Sequence, residues 1–184
     1  MPVSHPAMLV DLLTLFDERA LLTAFTVVPG SEVPPAYRDL LVHENHMTVA
    51  LENHHGGAVE VRVVVEKIDE THYARRSLLA LRSTGRIVQH CTMRIDMRVC
   101  SEAVRREIRE GVTPLGAILI HHNVMRRIEP IAYLKISGAA EIMDVFDRGP
   151  ETIGYGRVAA IHTAHTPAVE LLEIVAPGPG SPTP

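Results

Sequence analysis

The clearest hydrophobic alternation in the chain runs from Ala58 to Ile68. Val59, Val61, Val63 and Val65 fall on one face, and Glu60, Arg62 and Glu66 on the other. A period of two predicts a half-buried strand. Similar sequence predicts strands at 71–82 and 87–97, joined by a turn at Ser83-Thr84-Gly85-Arg86. A shorter run, Met47 to Leu51, reads as a strand entering the first hairpin, with Asn53 to Gly57 as its turn.

Helical spacing appears elsewhere. From Ala7 to about Phe25 apolar residues recur mostly at intervals of three and four, with Asp17-Glu18 placed to break the run into two short helices. Val28 to Pro35 carries three prolines and a glycine and reads as a loop. Ser101 suits the N-cap of a helix over 102–110, and Gly111 its stop. Pro114 suits the first turn of a second helix to about residue 121. Strand sequence resumes at Ile128–Ile136. A short helical piece follows at Ala140–Phe146, then a loop through Gly149-Pro150. A final hairpin has arms at 153–163 and 168–175 and its turn at Ala164–Pro167. The tail from Ala176 is mostly proline and glycine and is expected to be disordered.

Together these elements predict one domain over residues 1–175. Its class is α+β: a single antiparallel sheet of about six strands with helices on one side. The 184 residues are enough for a substantial core.

Composition narrows the function classes. The net charge of −4 lacks the basic face of a nucleic-acid binder, and acidic residues balance the pairs Arg105-Arg106 and Arg126-Arg127. No apolar run reaches the roughly 18 residues of a membrane span. Two cysteines, Cys91 and Cys100, make neither a disulfide framework nor a zinc spacing. The N-terminus has no signal-peptide pattern, so a cytoplasmic protein is expected. It is read as a monomer or small homo-oligomer without nucleic-acid or membrane partners.

The eleven histidines include the pairs His43/His46, His54/His55, His121/His122 and His162/His165, but no HExxH. In their predicted strand and turn settings most pairs are not expected to converge on one ion, and no metal site is expected.

Three segments resemble the chorismate lyase superfamily, over roughly residues 8–177. Tyr73-Ala74-Arg75-Arg76-Ser77-Leu78-Leu79 resembles the family's strand in which an arginine precedes a hydroxyl residue and aliphatics. Thr113-Pro114-Leu115-Gly116, after a charged helix, resembles the family's Pro-Leu-Gly element. Gly156-Arg157, then Pro167, then Glu173 resembles the closing hairpin that carries the family's glutamate. Glu173 comes six residues after Pro167, the spacing of the divergent branch rather than of the ubiquinone-pathway enzyme. Arg76 also departs from the pattern, following a second arginine where the family has a small residue.

The resemblance implies a cofactor-free lyase that eliminates pyruvate from chorismate and leaves 4-hydroxybenzoate. It implies an arginine on the substrate carboxylate, the Leu115 backbone amide beside it, and Glu173 as general acid/base. Arg75 and Arg76 are adjacent on a strand and point to opposite faces. Arg76 is preferred because Ser77-Leu78-Leu79 follows it directly. A guanidinium fits a planar carboxylate through paired N–H groups.

Glu173 shares an apolar strand face with Val169, Leu171 and Val175, while Glu170 falls with Ala168 and Leu172. Pattern alone does not choose between the two, and a salt bridge to one of the two arginines is the structural alternative for Glu173. Arg157 reads mainly as fold support. The same fold also serves as the effector domain of some transcription regulators, so a non-catalytic module for a small aromatic acid is the alternative function. No DNA-binding helix pair accompanies it here. A third reading is a lyase-fold enzyme acting on a related acid.

Overall fold

The computed structural model describes residues 5–163 and 166–176. Among them seven strands form one fully antiparallel sheet: β1 (Phe25–Val28), β2 (Val59–Ile68), β3 (His72–Leu81), β4 (Ile87–Asp96), β5 (Arg126–Ile136), β6 (Gly154–Thr163) and β7 (Thr166–Val175). Their order is β1-β5-β6-β7-β4-β3-β2. Two meanders, β2-β3-β4 and β5-β6-β7, are sewn together where β7 pairs with β4, Glu173 opposite Cys91. The expected α+β class and single antiparallel sheet hold, with seven strands in place of about six.

The helices are α1 (Ala7–Leu15), α2 (Pro35–Leu41), α3 (Met47–His55), α4 (Glu102–Glu110), α5 (Leu115–His121) and α6 (Ala140–Asp144). Side chains alternate across a strand, so the two faces of β7 have separate cores. Leu171 and Val169 pack with Val104 and Ile108 of α4 and Leu115 and Ile118 of α5. Leu40 and Leu41 of α2 and Met47 and Leu51 of α3 extend that layer over Leu79 and Val175. Leu172 and Ile174 face the other way, onto Leu9, Leu12 and Leu13 of α1 and Ile142 and Met143 of α6. The helices are therefore not confined to one side, as was expected: α2, α3, α4 and α5 cover one face, and α1 and α6 cover the other.

Local signals explain most boundaries. The Ser101 hydroxyl accepts the Val104 N–H at 3.3 Å, and Gly111 ends α4 at φ 65°. Asp17, at φ 60°, stops α1, and a 3₁₀ segment (Arg19–Ala24) follows.

Two expectations fail. The strand expected at 47–51 is the first turn and a half of α3. Met47, Thr48 and Leu51 are its buried residues, a helical spacing. Gly56, expected in a hairpin turn, is the left-handed C-cap of that helix, its N–H donating to Glu52 O. The loop expected at 28–35 contains the end of edge strand β1 and the start of α2. Pro35 is the first residue of α2, where a missing N–H costs nothing.

Ala176, the first residue of the segment expected to be disordered, is buried, and its N–H donates to Val88 O at 3.0 Å. Residues 177–184 and the expected turn residues Ala164 and His165 lie outside the described residues. Both cysteines are free thiols. No described helix is long and apolar enough to cross a membrane.

Candidate functional site

The sheet register separates the two arginines. Arg75 stands beside Met93 of β4, and Ser77 beside Cys91, which is itself opposite Glu173. Arg75, Ser77, Cys91 and Glu173 therefore share the face under α3 and α5. Arg76 stands beside Thr92 and takes the opposite face. There its guanidinium is ion-paired with Glu18, just beyond α1. Arg76, the preferred residue in sequence, is thus separated from Glu173 by the sheet, and Arg75 is the interior arginine.

The same alternation decides between the two glutamates. Glu170 is on the far face, ion-paired with Arg94, whose Nε donates to Oε2 at 2.7 Å. Glu173 is buried under the helices. Its Oε2 accepts Arg157 Nε at 2.6 Å, and its Oε1 faces Gln89 Nε2 at 3.4 Å.

Arg157, 1% exposed, does more than pair with Glu173. Its Nη1 donates to Leu41 O at 3.2 Å and His43 O at 2.8 Å, and its Nη2 to Asn45 O at 3.4 Å. One guanidinium thus satisfies the carbonyls of the loop between α2 and α3 and the carboxylate beneath them. Glycine precedes it for a steric reason: a Cβ on Gly156 would meet Glu173 O at 2.6 Å. The salt bridge foreseen for Glu173 exists, but to Arg157 rather than to Arg75 or Arg76.

Arg75 is less fully engaged. It is 2% exposed, and its Nε and Nη1 have no hydrogen-bond acceptor among the described residues. Glu66, its neighbour across β2, is engaged instead by the Tyr73 hydroxyl at 2.8 Å. The buried face therefore holds two guanidinium charges and one carboxylate, and the carboxylate is taken. An unpaired buried cation with open donors is costly unless an anion meets it.

These groups surround a cavity of about 50 Å³, walled by Arg75, Ser77, Gln89, Cys91, Leu115, Gly116, Glu173 and His46 among others. Burial, with Glu173 nearby, pushes the Cys91 thiol well above its ordinary range. Leu115 reaches the wall at the start of the seven-residue α5, whose N-terminus has no side-chain cap. Gly116 lets α5 approach α3 closely, since a Cβ there would meet Thr48 Oγ1 at 2.9 Å.

His46 also walls a larger open groove of about 680 Å³, together with Glu44, Asn45, Val49 and the segment Asn123–Ile128. Its Nε2 faces Arg126 Nε, whose Nη1 is anchored on Val124 O. Burial first, then Arg126 and Arg157, lower the His46 pKa to about 4, so the ring is neutral and accepts from Arg126.

Sequence reading missed Gln89 and His46. Gln89 was detectable as a polar residue in register with Cys91, Met93 and Ile95 on an otherwise apolar face. His46 carries no signal in the sequence, because its setting depends on α3, where the local pattern predicts a strand. One histidine pair converges: His121 and His122, on Glu107 of α4.

No protein-family model and no curated protein matches the sequence. Solved structures do match in shape. PhnF from Mycobacterium smegmatis aligns with TM-score 0.57 at 12% identity, over 95% of this chain and 88% of its own. YydK of Bacillus subtilis, described as a possible transcriptional regulator, aligns with TM-score 0.51 at 10% identity, over 94% and 84%. The ligand-binding domain of a candidate GntR-family transcriptional regulator from Bordetella bronchiseptica aligns with TM-score 0.50 at 12% identity, over 64% and 85%. At such identities the likeness is one of fold, and the chain has the chorismate lyase-like fold found in regulator ligand-binding domains.

Proposed function

We propose that this domain binds a small organic anion at Arg75 and does not turn it over. The observation that carries this reading is the buried Arg75 guanidinium, whose Nε and Nη1 have no acceptor among the described residues, in the wall of a small cavity. A carboxylate meets such a donor pair with two parallel hydrogen bonds and supplies the missing charge. The fold likeness to a regulator's ligand-binding domain points the same way.

Ligand pockets usually measure about 300–1,000 Å³. A space of about 50 Å³ suits only an acid head group. The remainder of the ligand would extend past His46 toward the 680 Å³ groove. Ser77, buried on the same face, and Gln89 are polar groups able to orient the head.

The chorismate lyase reaction is the second reading. In its favour, Arg75, Leu115 and Glu173 wall one cavity. Against it, Glu173 is ion-paired with the buried Arg157 at 2.6 Å, a contact that favours its charged form and opposes its taking up a proton.

One experiment separates the two. The purified chain is melted with a panel of aromatic and aliphatic acids, chorismate and 4-hydroxybenzoate included, while pyruvate is assayed in parallel. A ligand at about one hundred times its Kd should stabilise the domain by about 2.7 kcal/mol. Arg75→Met should abolish that shift, with no pyruvate from chorismate at any stage. Catalytic pyruvate release lost in Glu173→Gln would establish the lyase instead. Acid binding indifferent to Arg75 would refute the proposed site.

A further inference from the structure

At the junction of α4 and α5, away from the Arg75 cavity, three donor atoms converge. Glu107 Oε2 lies 2.8 Å from His122 Nε2 and 3.9 Å from His121 Nδ1. All three atoms lie within 4.8 Å of one another. The two imidazole centroids are 4.9 Å apart, their planes inclined by 50°.

The scaffold that presents them is set by other forces. Val104 and Ile108 of α4 pack with Leu115, Ile118 and Leu119 of α5 in one apolar cluster. The end of α5 is closed by backbone bonds: His122 N–H to Ile118 O at 3.0 Å and Val124 N–H to Leu119 O at 3.0 Å, with Asn123 turning the chain at φ 49°. His122 also stands in the wall of a mostly apolar cavity of about 280 Å³ between these helices and the end of the β6–β7 hairpin. The polar trio is therefore assembled by the core and does not itself hold the helices in place.

One hydrogen bond to Glu107 needs only one histidine. Here two imidazoles turn toward the same carboxylate oxygen, and a common cation explains the second. Tetrahedral zinc, with metal–donor distances near 2.0–2.2 Å, sets its donors roughly 3.4 Å apart. The separations of 2.8 and 3.9 Å bracket that value. The His121 side chain is 76% exposed and free to make the small adjustment.

We propose that Glu107, His121 and His122 form a site for one zinc-like divalent ion. Two imidazoles and a carboxylate select Zn²⁺, Ni²⁺ or Cu²⁺ over Mg²⁺ and Ca²⁺. Three protein donors leave a fourth position for water or a small anion.

The test uses the full chain without an affinity tag, titrated calorimetrically with Zn²⁺ alone, and with Co²⁺ as a spectroscopic reporter. One Zn²⁺ should bind per chain. Glu107→Gln, His121→Ala and His122→Ala should each weaken it at least about tenfold. Visible Co²⁺ bands of a four-coordinate site should appear and vanish in the double variant His121→Ala/His122→Ala. His54→Ala/His55→Ala, at the end of α3, should bind as the parent does. His121 is so exposed that its removal cannot unfold the chain, and a melt without metal verifies each variant. The proposal is overturned if Zn²⁺ fails to bind saturably, if affinity survives the double substitution, or if it follows His54 and His55 instead.

Discussion

Arg75→Met puts the anion-site argument under the most direct strain, because it predicts that removing a functional group makes the empty domain more stable. Arg75 buries its guanidinium with Nε and Nη1 unpaired. Each buried unpaired donor costs about 1–3 kcal/mol, so the pair costs about 2–6 kcal/mol. A cavity of about 50 Å³ has room for a few waters, which recover part of that. Methionine keeps most of the apolar stem and removes the charge. A net gain of about 2 kcal/mol is expected after allowing for imperfect repacking. For a chain of this size that raises Tm by about 4–8 °C. Calorimetry and urea denaturation of the ligand-free protein, parent against variant, measure it. The same variant should lose every acid-induced shift. A fall of about 1 kcal/mol or more in ligand-free stability would refute the reasoning, since Arg75 would then be held by the protein itself.

Glu173→Gln should act in the opposite sense. It leaves Arg157 buried against carbonyls alone, and breaking one side of a buried pair costs about 3–5 kcal/mol, readable as a lower urea midpoint. Acidification should weaken the fold through His90. Its ring is buried and, by desolvation first and Arg76 second, its pKa falls from 6.5 to about 4. Because the unfolded chain takes up that proton first, the stability from His90 is complete above pH 6.5 and is lost as pH falls toward 4. The loss is at most about 3 kcal/mol. Stability against pH for His90→Gln should be flatter over that window, and an unchanged slope would remove His90 from the account.

Most of the sheet was legible because Val59, Val61 and Val63 alternate in β2 and because Ser101 and Gly111 fit the ends of α4; the expected face fails at Val65, where a bulge turns it to the side of Arg76 and brings Glu66 beside Arg75. What escaped depended on distant partners. Met47–Leu51 is short enough to satisfy either period, and only burial of Met47, Thr48 and Leu51 under the α2–α3 layer selects the helix. Phe25–Val28 becomes a strand because the β5 edge is there to receive it. The site was legible as a kind of chemistry, a buried arginine near a buried glutamate, but not as a residue list. Which of two adjacent arginines faces inward is fixed by register with β4, and register comes from the whole sheet. Glu107 and the two histidines were beyond reach for a related reason: they lie on different helices, brought together by an apolar contact that carries no polar signature.

The bonds of Arg157 have a consequence for traffic. By tying Leu41, His43 and Asn45 to Glu173, this side chain bolts the α2–α3 loop to the sheet, so that loop cannot serve as the door to the cavity. The neutral His46 ring walls both the cavity and the groove, so it is the side chain a ligand extending from one to the other would have to pass. Rotating one imidazole is a far smaller event than unlatching a loop. Arrival and escape of a ligand would then be timed by a single side chain.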